Sequence, residues 1–364
     1  MTAVLDLLLL SINDWRRSLS LASAALAKPD SEIFFVDPNK IDSELFALKL
    51  LAARLPLRVT DATGDDAFSE ALRAAPELNL QQAAASIEAD PVRLGQHFGP
   101  PRGLVCAPAD DPVRCLKGAV LAVRLGYYFI PCGGTESHSS GWCELFTASG
   151  LAFHLPLIWL GPAERPPELS AAAGLHDFTA LPDDPALARF MLRQGLEIDY
   201  LLIYNSADLE QGSGAPRSPG EAWVKGLSLL APLCASYRHV FPYDAAAARP
   251  EPAEIEKGLN RFVSRAGLRP RYMALLASPG AIPLLYEPRR TIGSTSEEMA
   301  REIHLRLNDD VFFDTAEGRL FQSSPGGLST QILTTKYYHR LPGARQETRK
   351  VLVAASPAVE YKII

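Results

Sequence analysis

The chain has 364 residues, a formal charge of −6, and 47% hydrophobic and 21% charged residues. This balance excludes intrinsic disorder as the main state, because so much apolar surface can offset chain entropy on burial, and the acidic charge excludes a nucleic-acid binder held by bulk positive charge. Gly 25, Pro 29 and Cys 5 are too few or too aperiodic for a collagen-like chain or a disulfide scaffold.

The length suits two domains at roughly 150 residues each. At the N-terminus, Leu5, Leu8, Leu9, Ile12, Trp15 and Leu19 follow helical spacing and predict one helix with a buried stripe. No basic residue precedes this apolar run and Asp6 interrupts it, which does not match a secretory leader; the default localisation is cytoplasmic. No window approaches the ~20 apolar residues of a membrane span.

From residue 32 the chain alternates strands and helices. Glu32–Val36 is a short apolar run ended by Asp37-Pro38, hence a strand, and Ile41 to Arg54 reads as a helix. Strands are predicted at Leu57–Thr60, Gly103–Ala107, Tyr127–Ile130 and Pro156–Leu160. Helices are predicted over 66–88, Val113–Leu125 and Ala186–Gln194, the last after Asp183-Asp184-Pro185, a cap with proline in the first turn.

The second half continues with strands at Tyr200–Tyr204, His239–Phe241, Tyr272–Ala277 and Lys350–Ala354, and helices at Trp223–Tyr237, Pro252–Arg265 and Leu328–Tyr338. Most strands are continuous apolar runs, as strands covered on both faces require. The alternation therefore predicts a layered α/β fold with mostly parallel sheets. The domain boundary is placed near Leu196, giving 1–195 and 196–364.

Leu104–Asp110 aligns with Leu202–Asp208. Each is followed by a loop, by Lys117-Gly118 or Lys225-Gly226, by an apolar helix and by a strand ending in Ile130-Pro131 or Phe241-Pro242. Two βαβ units of one design account for this.

Chemistry is most concentrated in Pro131–His138, where Cys132 at a strand end is followed by Gly133-Gly134 and, six residues on, by His138. A thiol there has free backbone N–H groups nearby, and a histidine base would lower its pKa, so Cys132 and His138 are the candidate catalytic pair of a thiol enzyme. The other cysteines (Cys106, Cys115, Cys143, Cys234) form no C-x-x-C pair and read as buried small hydrophobes. His154, His239 and His339 read as structural and His304 as a surface-helix residue. Asp309, Asp310, Asp314 and Glu317 surround Val311-Phe312-Phe313; hard oxygen donors at this density could hold calcium, although no full loop pattern is present. Gly212-x-Gly214 lacks a third glycine, and two prolines separate it from the next helix, so it does not make a phosphate cradle. No other cofactor is expected.

Arg271–Pro283 resembles the strand-plus-turn "LLLVGDPDAIP" of gingipain-type cysteine peptidases. Downstream, Glu317–Phe321 and Leu328–Tyr338 resemble that family's "VGRI" strand and following helix, with Lys336-Tyr337-Tyr338 matching its "K..Y" ending, and Lys350–Ala354 resembles the next core strand. The resemblance covers about residues 198–364. It implies a caspase-like, three-layer α/β sandwich in two related subdomains, and a Cys–His dyad that cleaves peptide bonds. The family's dyad lies beyond the last matched strand, so no residue here is carried over as catalytic; Ser278 replaces the family's Asp after "VG". Residues around 103–132 are also similar to bacterial cell-wall-binding repeats. These resemblances imply a gingipain-like relative either truncated before its dyad or lacking it, or alternatively a non-catalytic module binding protein, peptide or glycan.

Overall fold

The computed structural model describes residues 4–78, 91–133, 155–162, 178–210, 223–245, 251–283, 285–288, 298–301 and 315–340. Leu5–Ser11 is a strand, β1, and helix α1 starts only at Trp15 and runs to Leu26. This corrects the single N-terminal helix predicted above. Leu7 to Leu10 are apolar at consecutive positions and all are buried, so both faces of the segment need cover, which a central strand provides. The helical spacing arose because the apolar positions straddle a strand and the helix after it. Asp14 separates the two, its carboxylate accepting the Arg17 N–H at 3.2 Å as an N-cap.

The first sheet adds β2 (Ser31–Val36) and β3 (Leu57–Asp61) in the order β2-β1-β3. Helix α2 (Ile41–Ala52) lies between them in sequence, and α3 (Asp66–Arg73) and α4 (Pro91–Phe98) follow. The second sheet contains β4 (Leu104–Pro108), β5 (Tyr128–Cys132), β6 (Leu157–Trp159) and β7 (Phe178–Ala180) in the order β5-β4-β6-β7. Its helices are α5 (Pro112–Leu125) and α6 (Asp184–Arg193). The third has β8 (Tyr200–Tyr204), β9 (Val240–Asp244), β10 (Tyr272–Leu276) and, after a β11–β12 hairpin (Leu285–Pro288, Glu298–Arg301), β13 (Ala316–Leu320).

The third sheet's order is β9-β8-β10-β13. Its helices are α7 (Ala231–Ala235, preceded by a 3₁₀ turn at Leu227–Leu230), α8 (Pro252–Ala266) and α9 (Pro325–Lys336). All pairings in the three sheets are parallel. The layered, mostly parallel α/β fold is thus present. In each sheet the second strand lies on one side of the first and the third on the other. The aligned segments 104–110 and 202–208 hold β4 and β8, each an interior strand of its sheet, with the turns that follow. Residues 1–195 carry the first two sheets and 196–364 the third.

Helices α1, α5 and α7 pack against one another. Small residues allow the approach: α1 buries Ser18, Ser20, Ala22, Ser23, Ala24 and Ala25, and α5 buries Cys115, Gly118, Ala119 and Ala122. A Cβ at Gly118 would fall 2.6 Å from the Phe129 ring, so α5 reaches β5 only with glycine there. The sheets are also tied by hydrogen bonds from neighbouring elements. Ser23 Oγ accepts the Phe129 N–H at 2.7 Å, Ser329 Oγ of α9 accepts the Phe35 N–H at 3.1 Å, and Arg124 donates to the Val240 carbonyl at 3.0 Å.

Helix α9 lies along α2 and β2, and a half-buried lysine meets a buried glutamate in that junction. Lys336 Nζ is 2.6 Å from Glu32 Oε1, with side-chain exposures of 16% and 3%; Tyr337 also donates to Glu32, and Lys336 donates to Ser236 at 2.8 Å. Removing one partner of such a pair leaves a buried charge without compensation. K336M is therefore expected to cost about 3–5 kcal/mol in urea unfolding, and E32Q/K336M to recover much of that loss.

Glu44 of α2 accepts the Asp37 N–H at 3.1 Å and the Ser324 hydroxyl at 3.3 Å. A Cβ at Gly326 would collide with its carboxylate. Burial pushes Glu44 up from 4.5 to about 7. Asp208, buried after β8, receives the Ser228 N–H at 3.0 Å and its hydroxyl, and burial likewise pushes it from 3.8 to about 7. The folded chain holds protons on these groups that the unfolded chain has released. Their contribution is most favourable below the unfolded values, declines as pH rises toward 7 and then levels off. Stability is expected to drop between pH 5 and 8 by on the order of 3 kcal/mol per group, and E44Q to flatten the slope in denaturant unfolding measured across that range.

Candidate functional site

A cleft of about 610 Å³ opens where the second and third sheets meet. One wall is formed by the turns after β4, β6 and β7: Asp111, Leu160 and Leu181 to Asp184. Strands β5 and β6 leave β4 on opposite sides, and the crevice beyond the carboxyl ends of such strands is where open α/β sheets place ligands. The first two turns of α5 and the first turn of α6 face it, contributing Arg114, Lys117, Pro185 and Leu187. The far wall is α8, with Gly258, Arg261, Phe262 and Arg265 on one helical face, joined by Tyr243 of β9.

The carboxylates of the cleft are engaged within it. Asp111 caps α5 through the Arg114 N–H at 2.9 Å and pairs with the Arg114 guanidinium at 3.3 Å. Asp183 caps α6 through the Ala186 N–H at 2.8 Å. Asp184 holds the buried Lys117 ammonium at 2.6 Å. Leu160, Leu181 and Leu187 are buried beneath them. Burial also raises the pKa of the Tyr243 hydroxyl. The site thus combines an apolar base with hydrogen-bonding groups around it, as ligand pockets do.

The sequence candidates lie elsewhere. Cys132 ends β5, half-buried, with Sγ 3.7 Å from the Ile130 carbonyl; His138 lies outside the described residues, so their separation is not fixed. Asp309, Asp310 and Asp314 also lie outside them, while Glu317 stands in β13 opposite Met273. His154, His304, Cys143 and Lys350–Ala354 are outside as well, as is Gly212-x-Gly214. The segments that carry the gingipain resemblance form β10, β13 and α9, but Lys336 and Tyr337 are spent on Glu32.

Sequence reasoning did not find the cleft, whose walls come from separate stretches of the chain, Asp111 to Leu187 and Tyr243 to Arg265. The 258, 261, 262, 265 spacing marks one face of α8 but not what it meets. A second polar group also went unread: Glu197, Asp199 and His239, whose ligand atoms lie within 4.8 Å of one another. They precede adjacent strands β8 and β9; His239 Nδ1 is 3.1 Å from Glu197 and 3.3 Å from Asp199. Arg124 donates to the Glu197 carbonyl at 2.8 Å, so this is an exposed ionic cluster tying α5 to the third sheet.

No protein-family model and no curated protein matches the sequence. Among solved structures, Cwp8 from Clostridium difficile is similar at 12% identity and a TM-score of 0.48, over 74% of this chain and 44% of that one. Among the described residues no helix is long and apolar enough to cross a membrane.

The cysteines differ in access. Cys106, Cys115 and Cys234 are buried, and burial raises the pKa of Cys115 and pushes that of Cys234 to about 12. A thiol-reactive reagent at neutral pH is expected to modify Cys132 while these three react only after unfolding. Peptide mapping of the labelled native chain checks this, since the thiolate is the reacting form.

Proposed function

We propose that this chain is a non-catalytic binding module that takes a protein, peptide or glycan ligand in the cleft between the second and third sheets. The supporting observation is that cleft: it lies beyond the carboxyl ends of β4, β6 and β7 and is closed on its far side by α8. Its most buried ionisable group, Lys117, is held by Asp184, an arrangement that fixes shape rather than one that activates a nucleophile. The strongly perturbed carboxyls, Glu44 and Asp208, are buried in contacts between elements, which suits a structural role.

A finer form of this reading is a gingipain-like relative without its dyad. The order β10, β13, α9 favours it, because those elements follow one another as in the resemblance. The thiol-enzyme alternative rests on Cys132 alone among the described residues.

Peptide and glycan arrays probed with the wild-type chain test the proposal. Two substitutions fill the cleft from opposite walls, G258W and P182W, with folding followed by circular dichroism. A ligand whose affinity drops at least tenfold in either folded variant supports the binding module. Binding that both variants leave unchanged, or hydrolysis of a peptide by the wild-type chain, overturns it.

A further inference from the structure

We infer that the cleft selects ligands carrying an oxyanion, a carboxylate or phosphate, on an apolar body, and that Arg261 and Arg265 recognise the charge; this rests on the binding role proposed above. The argument is a charge account of the lining. Asp111 is matched by Arg114, Asp184 by Lys117, and Asp183 by the positive N-terminal end of α6. Two cations are left. Arg261 and Arg265 are exposed, line the cleft one helical turn apart, and have no carboxylate in salt-bridge distance among the described residues.

Two guanidiniums on one wall offer planar, multiply donating groups that match carboxylate and phosphate oxygens. They would normally repel each other across one turn, and a bound oxyanion relieves that repulsion. Below them the lining turns apolar: Phe262 from α8, and Leu160, Leu181 and Leu187 from the opposite side. A ligand with charge at one end and apolar surface at the other satisfies both parts. A uniformly polar ligand would leave the base uncovered, and a neutral apolar one would leave the arginines without partners. The volume, about 610 Å³, lies within the range of small-molecule sites.

Fluorescent probes on one apolar body test this: dansyl-β-alanine for carboxylate, dansyl-phosphoethanolamine for phosphate, and neutral dansylamide. At least one anionic probe is expected to bind ten times or more tightly than dansylamide, and which of the two does so identifies the oxyanion. In R261Q/R265Q that advantage is expected to vanish. In G258W all binding is expected to weaken. Equal binding of dansylamide and both anions, or an advantage that survives R261Q/R265Q, overturns the charge recognition; if G258W still blocks the probes, the cleft remains a binding site. Failure of G258W to affect any bound probe, or no binding of any probe at millimolar concentration, counts against both.

Discussion

Helices α1, α5 and α7 can touch one another only because the residues between them are small. Each helix follows the first strand of its sheet, so where the helices meet decides where the sheets stand. Gly118 against the Phe129 ring sets how closely α5 also approaches β5: a methyl group there would push α5 off β5, and with it the N-terminal turn that carries Asp111 and Arg114 into the cleft. Interiors packed at crystal-like density transmit such a displacement rather than absorb it. The position of the cleft is thus set by side chains that never line it.

A second level of organisation is electrostatic. Glu32, Glu44 and Asp208 are buried carboxyl groups, each held by a hydroxyl and by either a backbone N–H or a lysine. Two of the three lie where α9 meets the first sheet. Apolar packing alone tolerates sliding of one helix along another. A buried carboxyl group with fixed partners does not, because every shifted position leaves it unsatisfied. Glu32 and Glu44 therefore specify one arrangement of α9 on α2 and β2. The cleft shows a different use of charge, with Lys117–Asp184 sealed inside and Arg261 and Arg265 facing solvent.

Much of the fold was legible because strands covered on both faces are written as uninterrupted apolar runs. Tyr200–Tyr204 was read to the residue, and Glu32–Val36 and Tyr272–Ala277 to within one position. The failure at Leu5–Ser11 has a definite cause: seven consecutive positions with five apolar side chains satisfy a helical template as easily as a strand, and only burial on both faces distinguishes them. Short β7 carries too few residues for a pattern. The cleft was illegible for a topological reason. Asp111, Asp184 and Arg261 are brought together by packing between separate sheets, and nothing local in the sequence records that encounter. Lys336-Tyr337 shows the converse, a pair conspicuous in the sequence whose actual role depends on a glutamate three hundred residues away.

The hydrogen bonds to Phe35, Phe129 and Val240 fall on β2, β5 and β9, which are the outermost strands on one side of their respective sheets. An uncovered outer strand is a template on which another chain can add itself. Here serine and arginine side chains from adjoining helices occupy part of that template. Those backbone groups are consequently not open to pairing with another chain. A fragment ending before α9 would bare the margin of β2 and become prone to intermolecular strand exchange.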